Sequence, residues 1–160
     1  LSHKLNIMEK KYSRELPIKV ERVKRGFNLH YNIKESTEED ILQAWKEERF
    51  TEEGEPDESF RLEHKYVYNV VYVPMGQWKY DGVVNAIIRE KYRADEMEAI
   101  TNNMNVVVSQ FFAELVSEGI IKATAHLVET MKEVSQDTFK EMQEWRALAK
   151  KEAKEVFNVK

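Results

Sequence analysis

The hydrophobic pattern changes along the chain from a period of two to a period of three to four. Apolar and polar residues alternate over 18–23 and again over 27–33, with a turn signal at Arg25-Gly26 between the two runs. Two alternating runs around a glycine are typical of a β-hairpin. The period of two predicts one shared face for four apolar residues and a solvated opposite side for His30. These four residues are Phe27, Leu29, Tyr31 and Ile33.

The strongest strand signal lies over 66–73, where aromatic and β-branched residues follow one another. Bulky side chains on both faces predict the central strand of a small antiparallel sheet. Pro74 ends this strand, because proline has no amide hydrogen to donate to a neighbouring strand.

Between the hairpin and this strand, the residues predict a short helix and an acidic loop. Ser36 and Glu39 have the spacing of a capping box, which predicts a helix over 37–49. The residues 51–59 are mostly acidic and contain glycine and proline, which favours a loop.

After Trp78 the apolar spacing predicts helices, near 81–92 with Asp81 as the cap, and over 95–100. A third stripe ends before Gly119, a fourth segment spans 120–131, and a last helix begins at Ser135. The third stripe consists of Val106, Val107, Phe111, Phe112, Leu115 and Val116. Strands followed by helices predict an α+β fold with a small antiparallel sheet in the N-terminal half.

We interpret 1–105 as a small α+β domain and 106–160 as a helical extension. The extension carries more apolar helix surface than a small sheet needs for cover, which favours oligomerisation or docking through this part. Intramolecular helix packing is the equally open alternative. The residues expected to form the interaction surface are Val107, Phe111, Phe112, Leu115, Ile121, Leu127, Met131 and Trp145.

Charge is segregated along the 160 residues, whose net charge is -4. The residues 1–34 carry nine basic and three acidic side chains, whereas 35–63 carry three basic and twelve acidic ones. The basic arm suits nucleic acid or an acidic partner, or it neutralises the acidic segment beside it. No nucleic-acid-binding motif accompanies the charge, which argues against nucleic acid.

The residues give no pattern of catalysis, so we expect no enzyme activity, no cofactor and no metal site. Cysteine is absent, and the four histidines lack a trustworthy metal-ligand spacing. Five glycines stand singly, which does not make a phosphate-binding loop. The first residues lack the features of a signal peptide, and no apolar run approaches the roughly 20 residues of a membrane span. We therefore expect a protein that is neither secreted by a signal peptide nor inserted in a membrane.

Four aromatic residues leave a second function open. Trp78, Tyr80, Tyr72 and Tyr68 could form a stacking surface for a sugar or a peptide, although a junction between sheet and helices is the favoured interpretation. The alternative to a structural role is thus a module that binds peptide, glycan or nucleic acid through the basic arm and the region of Trp78 and Tyr80.

Three motifs carry a resemblance to a group of proteins. They are a Pro-x-Gly-x-Trp turn at 74–78, a Tyr-x-Ala-Asp-Glu-Met helix start at 92–97, and a Met-Gln-x-Trp-Arg helix at 142–146. With their surrounding residues, 73–103 and 141–150, they resemble small uncharacterised proteins encoded among structural genes of phages and prophages of gut bacteria. The residues 106–134 lie between the two similar segments like an insertion.

The resemblance implies a virion or assembly component and supplies no catalytic residues. It also implies a location in the virion or the host cytoplasm, with other phage structural proteins as partners. Taken with the apolar helices, it leads to the hypothesis of a non-enzymatic structural protein that forms a homo-oligomer or docks through its C-terminal helices.

Overall fold

The computed structural model describes residues 9–49, 53–133 and 136–158 and has an α+β fold, as the sequence predicts. The strands, all in the N-terminal half, are β1 (Lys11–Ser13), β2 (Val20–Val23), β3 (Gly26–Glu35) and β4 (Tyr66–Pro74). The helices are α1 (Glu38–Arg49), α2 (Glu58–Glu63), α3 (Tyr80–Lys91), α4 (Ala94–Glu118), α5 (Ile120–Glu133) and α6 (Gln136–Phe157). The predicted start of the last helix, Ser135, lies outside the described residues.

The four strands form one antiparallel sheet in the order β1-β4-β3-β2. The prediction of a central strand at 66–73 is confirmed, because β4 lies between β1 and β3. The predicted hairpin corresponds to β2 and β3, in which Val23 pairs with Gly26. The sequence did not predict β1, whose three residues pair with the start of β4.

The alternation in β3 holds through Tyr31 and then breaks. Tyr31 pairs with Asn69, but the next pair joins Lys34 to Val67, so one extra residue is inserted as a β-bulge. Asn32 in the bulge has a φ of 54°. The prediction that Ile33 shares the face of Leu29 and Tyr31 is therefore wrong, because the extra residue reverses the alternation.

The hydrophobic core lies between one face of the sheet and helices α3 and α6. Leu29 and Tyr31 of β3 are fully buried there. They meet Val83 and Ile87 of α3 and the small Ala149 of α6, which are also fully buried. A small side chain on α6 allows its backbone to approach the core closely, so this helix contributes to the same core as the sheet.

Helix α3 begins one turn after β4, through a short 3-10 helix at Met75–Gln77. The predicted cap Asp81 lies inside the first turn of α3, and Lys79 occupies the capping position without a side-chain hydrogen bond. Acidic Asp81 still suits this position, because the helix dipole favours negative charge in the first turn.

Helices α1 and α2 connect β3 to β4 and pack on one another through aromatic side chains. Trp45 meets Phe60 edge-on at a ring distance of 4.9 Å, and Phe60 stacks on His64 at 3.9 Å. Asp57 caps α2 by accepting a hydrogen bond from the Phe60 amide. The acidic loop predicted over 51–59 therefore ends at Asp57, because Glu58 begins α2. Residues 51 and 52 of this loop lie outside the described residues.

The capping pair of α1 is shifted by one residue from the prediction. Thr37 Oγ1 accepts a hydrogen bond from the Asp40 amide at 3.2 Å, and the Asp40 carboxylate accepts one from the Thr37 amide at 2.9 Å. This is the reciprocal arrangement of a capping box. Ser36 does not take part, and its buried hydroxyl has no hydrogen-bond partner among the described residues.

We expect Thr37→Ala to lower the free energy of unfolding by about 1 kcal/mol, the usual cost of a lost cap. The matched control Ser36→Ala should lower it by less, since the Ser36 hydroxyl makes no hydrogen bond within the described chain. Urea denaturation of both variants measures the difference. A larger loss for Ser36→Ala would show that Ser36 is the cap.

The carboxyl of Asp40 gives this cap a pH dependence. Burial pushes the pKa of Asp40 up, but hydrogen bonds from Thr37 and the nearby Lys10 outweigh burial and hold it below its usual value. The stabilisation is therefore complete above the unfolded-state pKa of about 3.9 and is lost as the pH falls through the lower folded-state value.

Helix α4 is longer than the sequence predicts, because the two segments at 95–100 and 106–116 form one continuous helix. The boundary placed at residue 105 lies within α4. The two parts assigned to either side of residue 105 also share the core, since Ala149 and Ala153 of α6 pack with the sheet.

Candidate interaction surface

Helices α4 and α5 form a hairpin whose connection is the single residue Gly119. Gly119 has φ 88° and ψ 169°, a combination that is essentially restricted to glycine. This residue lets the chain reverse direction immediately after α4, as its predicted role of helix stop requires.

The contact between α4 and α5 buries few side chains completely. Val107 of α4 is 4% exposed and Ala123 of α5 is fully buried, and they are the buried residues of the two helices among the described side chains. His126 Nδ1 hydrogen-bonds to Glu114 Oε1 and so joins α5 to α4 beside this contact. Most of the hairpin surface is therefore available to solvent.

The exposed surface of the hairpin carries large apolar side chains. On α4, Val108, Phe112 and Val116 are 43%, 60% and 90% exposed. Their spacing of four residues aligns them along one side of the helix. On α5, the exposed large apolar side chains are Ile120, Ile121 and Val128, at 69%, 83% and 50%. We call these six residues the outer apolar face.

Both rows of the outer apolar face lie on the same side of the hairpin. On each helix, the exposed row lies at a larger helical angle than the buried residue at the contact, which is Val107 on α4 and Ala123 on α5. Because the two helices run antiparallel, the same direction of rotation on each helix leads to the same side of the hairpin. Ile120, Ile121 and Val128 border a shallow depression whose other lining residues are Thr124 and Ala125. Charge is absent from the fifteen residues 99–113 of α4.

Isolated exposed apolar residues are normal on protein surfaces, but clustered ones mark interaction sites. The outer apolar face is a cluster, and it is built on two helices rather than on loops. Its composition suits the burial of apolar surface against another protein surface and offers no groups for acid–base chemistry.

The structure separates the eight residues predicted for the interaction surface into four groups. Phe112 and Ile121 are exposed, whereas Val107 is buried between α4 and α5. Trp145 packs toward the core, where its Nε1 donates a hydrogen bond to the Ile87 carbonyl at 2.9 Å. The remaining four, half-buried within the hairpin and its surroundings, are Phe111, Leu115, Leu127 and Met131.

Four residues of the outer apolar face were not in the predicted set: Val108, Val116, Ile120 and Val128. The spacing of Val108, Phe112 and Val116 could have identified a row distinct from the one centred on Val107. Apolar content alone does not distinguish the two rows, because both have helical spacing.

The aromatic region proposed as the alternative binding site is partly covered by other side chains. Trp78 stacks on Phe27 at a ring distance of 4.3 Å and meets Phe157 of α6 at 5.3 Å. Tyr80 packs against the core, whereas Tyr72 is 47% exposed. Trp78 and Tyr80 thus join the sheet to the helices, which leaves little of their rings for stacking on a ligand.

The basic arm pairs with acidic residues of the same chain at several places. Lys10 lies 3.4 Å from Asp40, and Arg14 lies 3.6 Å from Glu63. These contacts agree with the interpretation that the arm neutralises the acidic segment. The exposed pair of Arg14 and Glu63 contributes little stability, at most about 1 kcal/mol.

A polar cluster joins α6 to the bulge of β3. Glu152 is 6% exposed, contacts the Lys19 ammonium, and accepts a hydrogen bond from the Asn32 amide at 3.1 Å. Burial, together with the Glu90 and Glu152 carboxylates, raises the pKa of Tyr31, whose buried hydroxyl has no hydrogen-bond partner among the described residues. The contacts of Glu152 join α6 to the bulge of β3. Tyr31 and Glu152 are both buried, so neither group is accessible to a substrate.

His30 also differs from its predicted solvated state. Its side chain is 12% exposed, with Nδ1 at 2.6 Å from the Ile18 carbonyl and the ring edge-on to Tyr68. The segment before β2 therefore covers His30.

Within the described residues, no group of three or more histidine, aspartate or glutamate side chains is placed to hold a metal ion. Among the described helices, none combines the length and the apolarity needed to cross a bilayer. Comparison of the chain with protein-family models, with curated proteins and with solved structures gave no significant match.

Proposed function

We propose that this protein is a non-enzymatic structural protein that associates with a second copy of itself through the outer apolar face. The observation that supports the proposal is the exposure of six large apolar side chains on one side of the α4–α5 hairpin. The resemblance to phage-encoded proteins supports a role in a virion or in its assembly.

The free energy of burying the outer apolar face is large enough to support association with a second copy of the chain. Full burial of one such side chain contributes about 1.5–3 kcal/mol. Two copies bring twelve of these side chains together. On average about two thirds of each side chain is still exposed, so the gain is of the order of 12–24 kcal/mol. The cost of association is about 4–15 kcal/mol, and the two are therefore comparable. A charged or polar partner would leave the apolar side chains without matching surface.

The test is the mass in solution, measured by size-exclusion chromatography with light scattering over a range of concentrations. We expect a species of at least twice the chain mass of 19.0 kDa. Phe112→Glu and Ile121→Glu should each shift the protein to 19.0 kDa, because a buried, unpaired carboxylate opposes association. Both positions are exposed, so the circular dichroism spectrum should not change.

The matched control is Leu16→Glu. Leu16 is 66% exposed but precedes β2 and lies outside the hairpin, so this variant should keep the mass of the unsubstituted protein. A 19.0 kDa monomer at every concentration would contradict self-association. Equal dissociation by Leu16→Glu would show that the outer apolar face is not the interface.

A further inference from the structure

A cleft of about 390 Å³ lies where α3, α4 and α6 meet, apart from the outer apolar face. Its α4 residues come from 94–102, in the first half of that helix, whereas the outer apolar face begins at Val108. The volume is within the range of about 300–1,000 Å³ that is usual for small-molecule sites.

Two arginines, from different helices, line this cleft. They are Arg89 of α3, which is exposed, and Arg146 of α6, which is half-buried. Among the described residues, no carboxylate lies within ion-pair distance of either guanidinium. Two other arginines of the chain do form ion pairs, since Arg61 pairs with Glu38 and Arg93 with Glu96.

Neutral polar and apolar side chains complete the lining. Asn85 and Asn102 supply amide groups that both donate and accept hydrogen bonds. Ile88, which is 7% exposed, and the half-buried Met97 supply apolar surface. One side of a ligand would thus meet charge and hydrogen-bond donors, and another side would meet a hydrocarbon surface.

We propose that this cleft binds a small organic anion with an apolar body and a terminal carboxylate or phosphate. Guanidinium groups form paired hydrogen bonds with these two oxyanions, and each charge-assisted bond is about twice as strong as a neutral one. Glu98 is the single acidic residue in the lining, so the lining as a whole is cationic. The apolar body would pack on Ile88 and Met97.

The experiment is an NMR titration of the full chain that follows the methyl signals of Ile88 and Met97. The probes are phenyl phosphate, benzoate, inorganic phosphate and the neutral benzyl alcohol. Phenyl phosphate or benzoate should bind with a saturable shift of both methyl signals. Inorganic phosphate should bind more weakly, because it lacks the apolar body, and benzyl alcohol should not saturate.

Three variants assign the binding to the cleft. Arg89→Gln and Arg146→Gln should each weaken the better aromatic probe by about 10-fold, which corresponds to about 1.4 kcal/mol. Glu98→Gln should strengthen it several-fold, because it removes the negative charge from the lining. The control Lys151→Gln removes a positive charge from the exposed side of α6 and should leave the affinity unchanged.

The comparison of phenyl phosphate with benzoate decides whether the terminal group is a phosphate or a carboxylate. Absence of saturable binding by both aromatic anions at 10 mM or so would overturn the proposal. Unchanged affinity in the two arginine variants would also overturn it, as would equal weakening by Lys151→Gln, since screening of net charge would then explain the binding.

Discussion

Trp145→Ala is expected to lower the free energy of unfolding by about 3–5 kcal/mol, as for other large aromatic side chains removed from a core. Trp145 meets Tyr31 edge-on at a ring distance of 6.1 Å and donates its indole hydrogen to the Ile87 carbonyl. It thereby joins α6 to both the sheet and α3. Urea denaturation monitored by circular dichroism measures the loss.

Trp145→Phe is the matched control for this prediction. It keeps an aromatic ring against Tyr31 but removes the indole hydrogen bond, so the loss should be smaller, at about 1–2 kcal/mol. Folded Trp145→Ala should keep the solution mass of the unsubstituted protein, because Trp145 lies away from the outer apolar face. A change in mass with less than about 1 kcal/mol of destabilisation would instead assign Trp145 to an interface.

Gly82→Ala is expected to destabilise the protein by about 3 kcal/mol, at the upper end of the usual cost of overpacking. A Cβ atom at this position would lie 1.9 Å from the Gln77 carbonyl oxygen. This neighbour is backbone of the 3-10 helix that connects β4 to α3, so no side-chain rotation can relieve the clash. The whole connection would have to shift relative to α3.

Gly76→Ala provides a control within the same connection. A Cβ atom at Gly76 would meet no other atom within 4 Å. We expect its free energy of unfolding to change by less than about 0.5 kcal/mol, as is usual for surface substitutions. Thermal unfolding of the two variants distinguishes close approach at Gly82 from a general sensitivity of glycines, which would affect both equally.

The elements that the sequence predicts well are those with an uninterrupted pattern. The aromatic and β-branched run that forms β4 has few alternatives, and the turn at Arg25-Gly26 gives the position of the hairpin. The β1 strand has no such pattern, because its pairing with β4 defines it rather than its own three residues. The bulge at Asn32 is equally invisible, since nothing in a strict alternation signals an inserted residue.

Helix α4 illustrates how packing overrides local preference. Asn102, Asn103 and Asn105 are poor helix formers, and they separate the two apolar stripes from which two helices were predicted. The helix nevertheless continues, with half-buried Thr101 and Met104 on the side that faces its neighbours. Tertiary contacts of this kind cannot be seen from the local sequence.

The two candidate sites differ in how far the sequence reveals them. An excess of apolar helix surface could be predicted for the C-terminal half, because the stripes of α4 and α5 are wide. The sequence does not show which rows of apolar side chains are buried between α4 and α5 within one chain. That depends on how the two helices pack, with Val107 and Ala123 turned inward. The cleft could not be predicted, because Arg89 and Arg146 are brought together only by the packing of α3 against α6.

The single-residue connection at Gly119 has a consequence for how chains could exchange parts. If this residue adopted helical dihedrals, residues 94–133 would form one rod of about 60 Å at 1.5 Å per residue. Val107 and Leu127, which line one small cavity between the two helices, would then lie far apart, and the α5 of another molecule would be needed to cover Val107. Reciprocal domain swapping is thus available at the cost of one changed residue conformation, and the unusual dihedrals of Gly119 are what favour the closed hairpin.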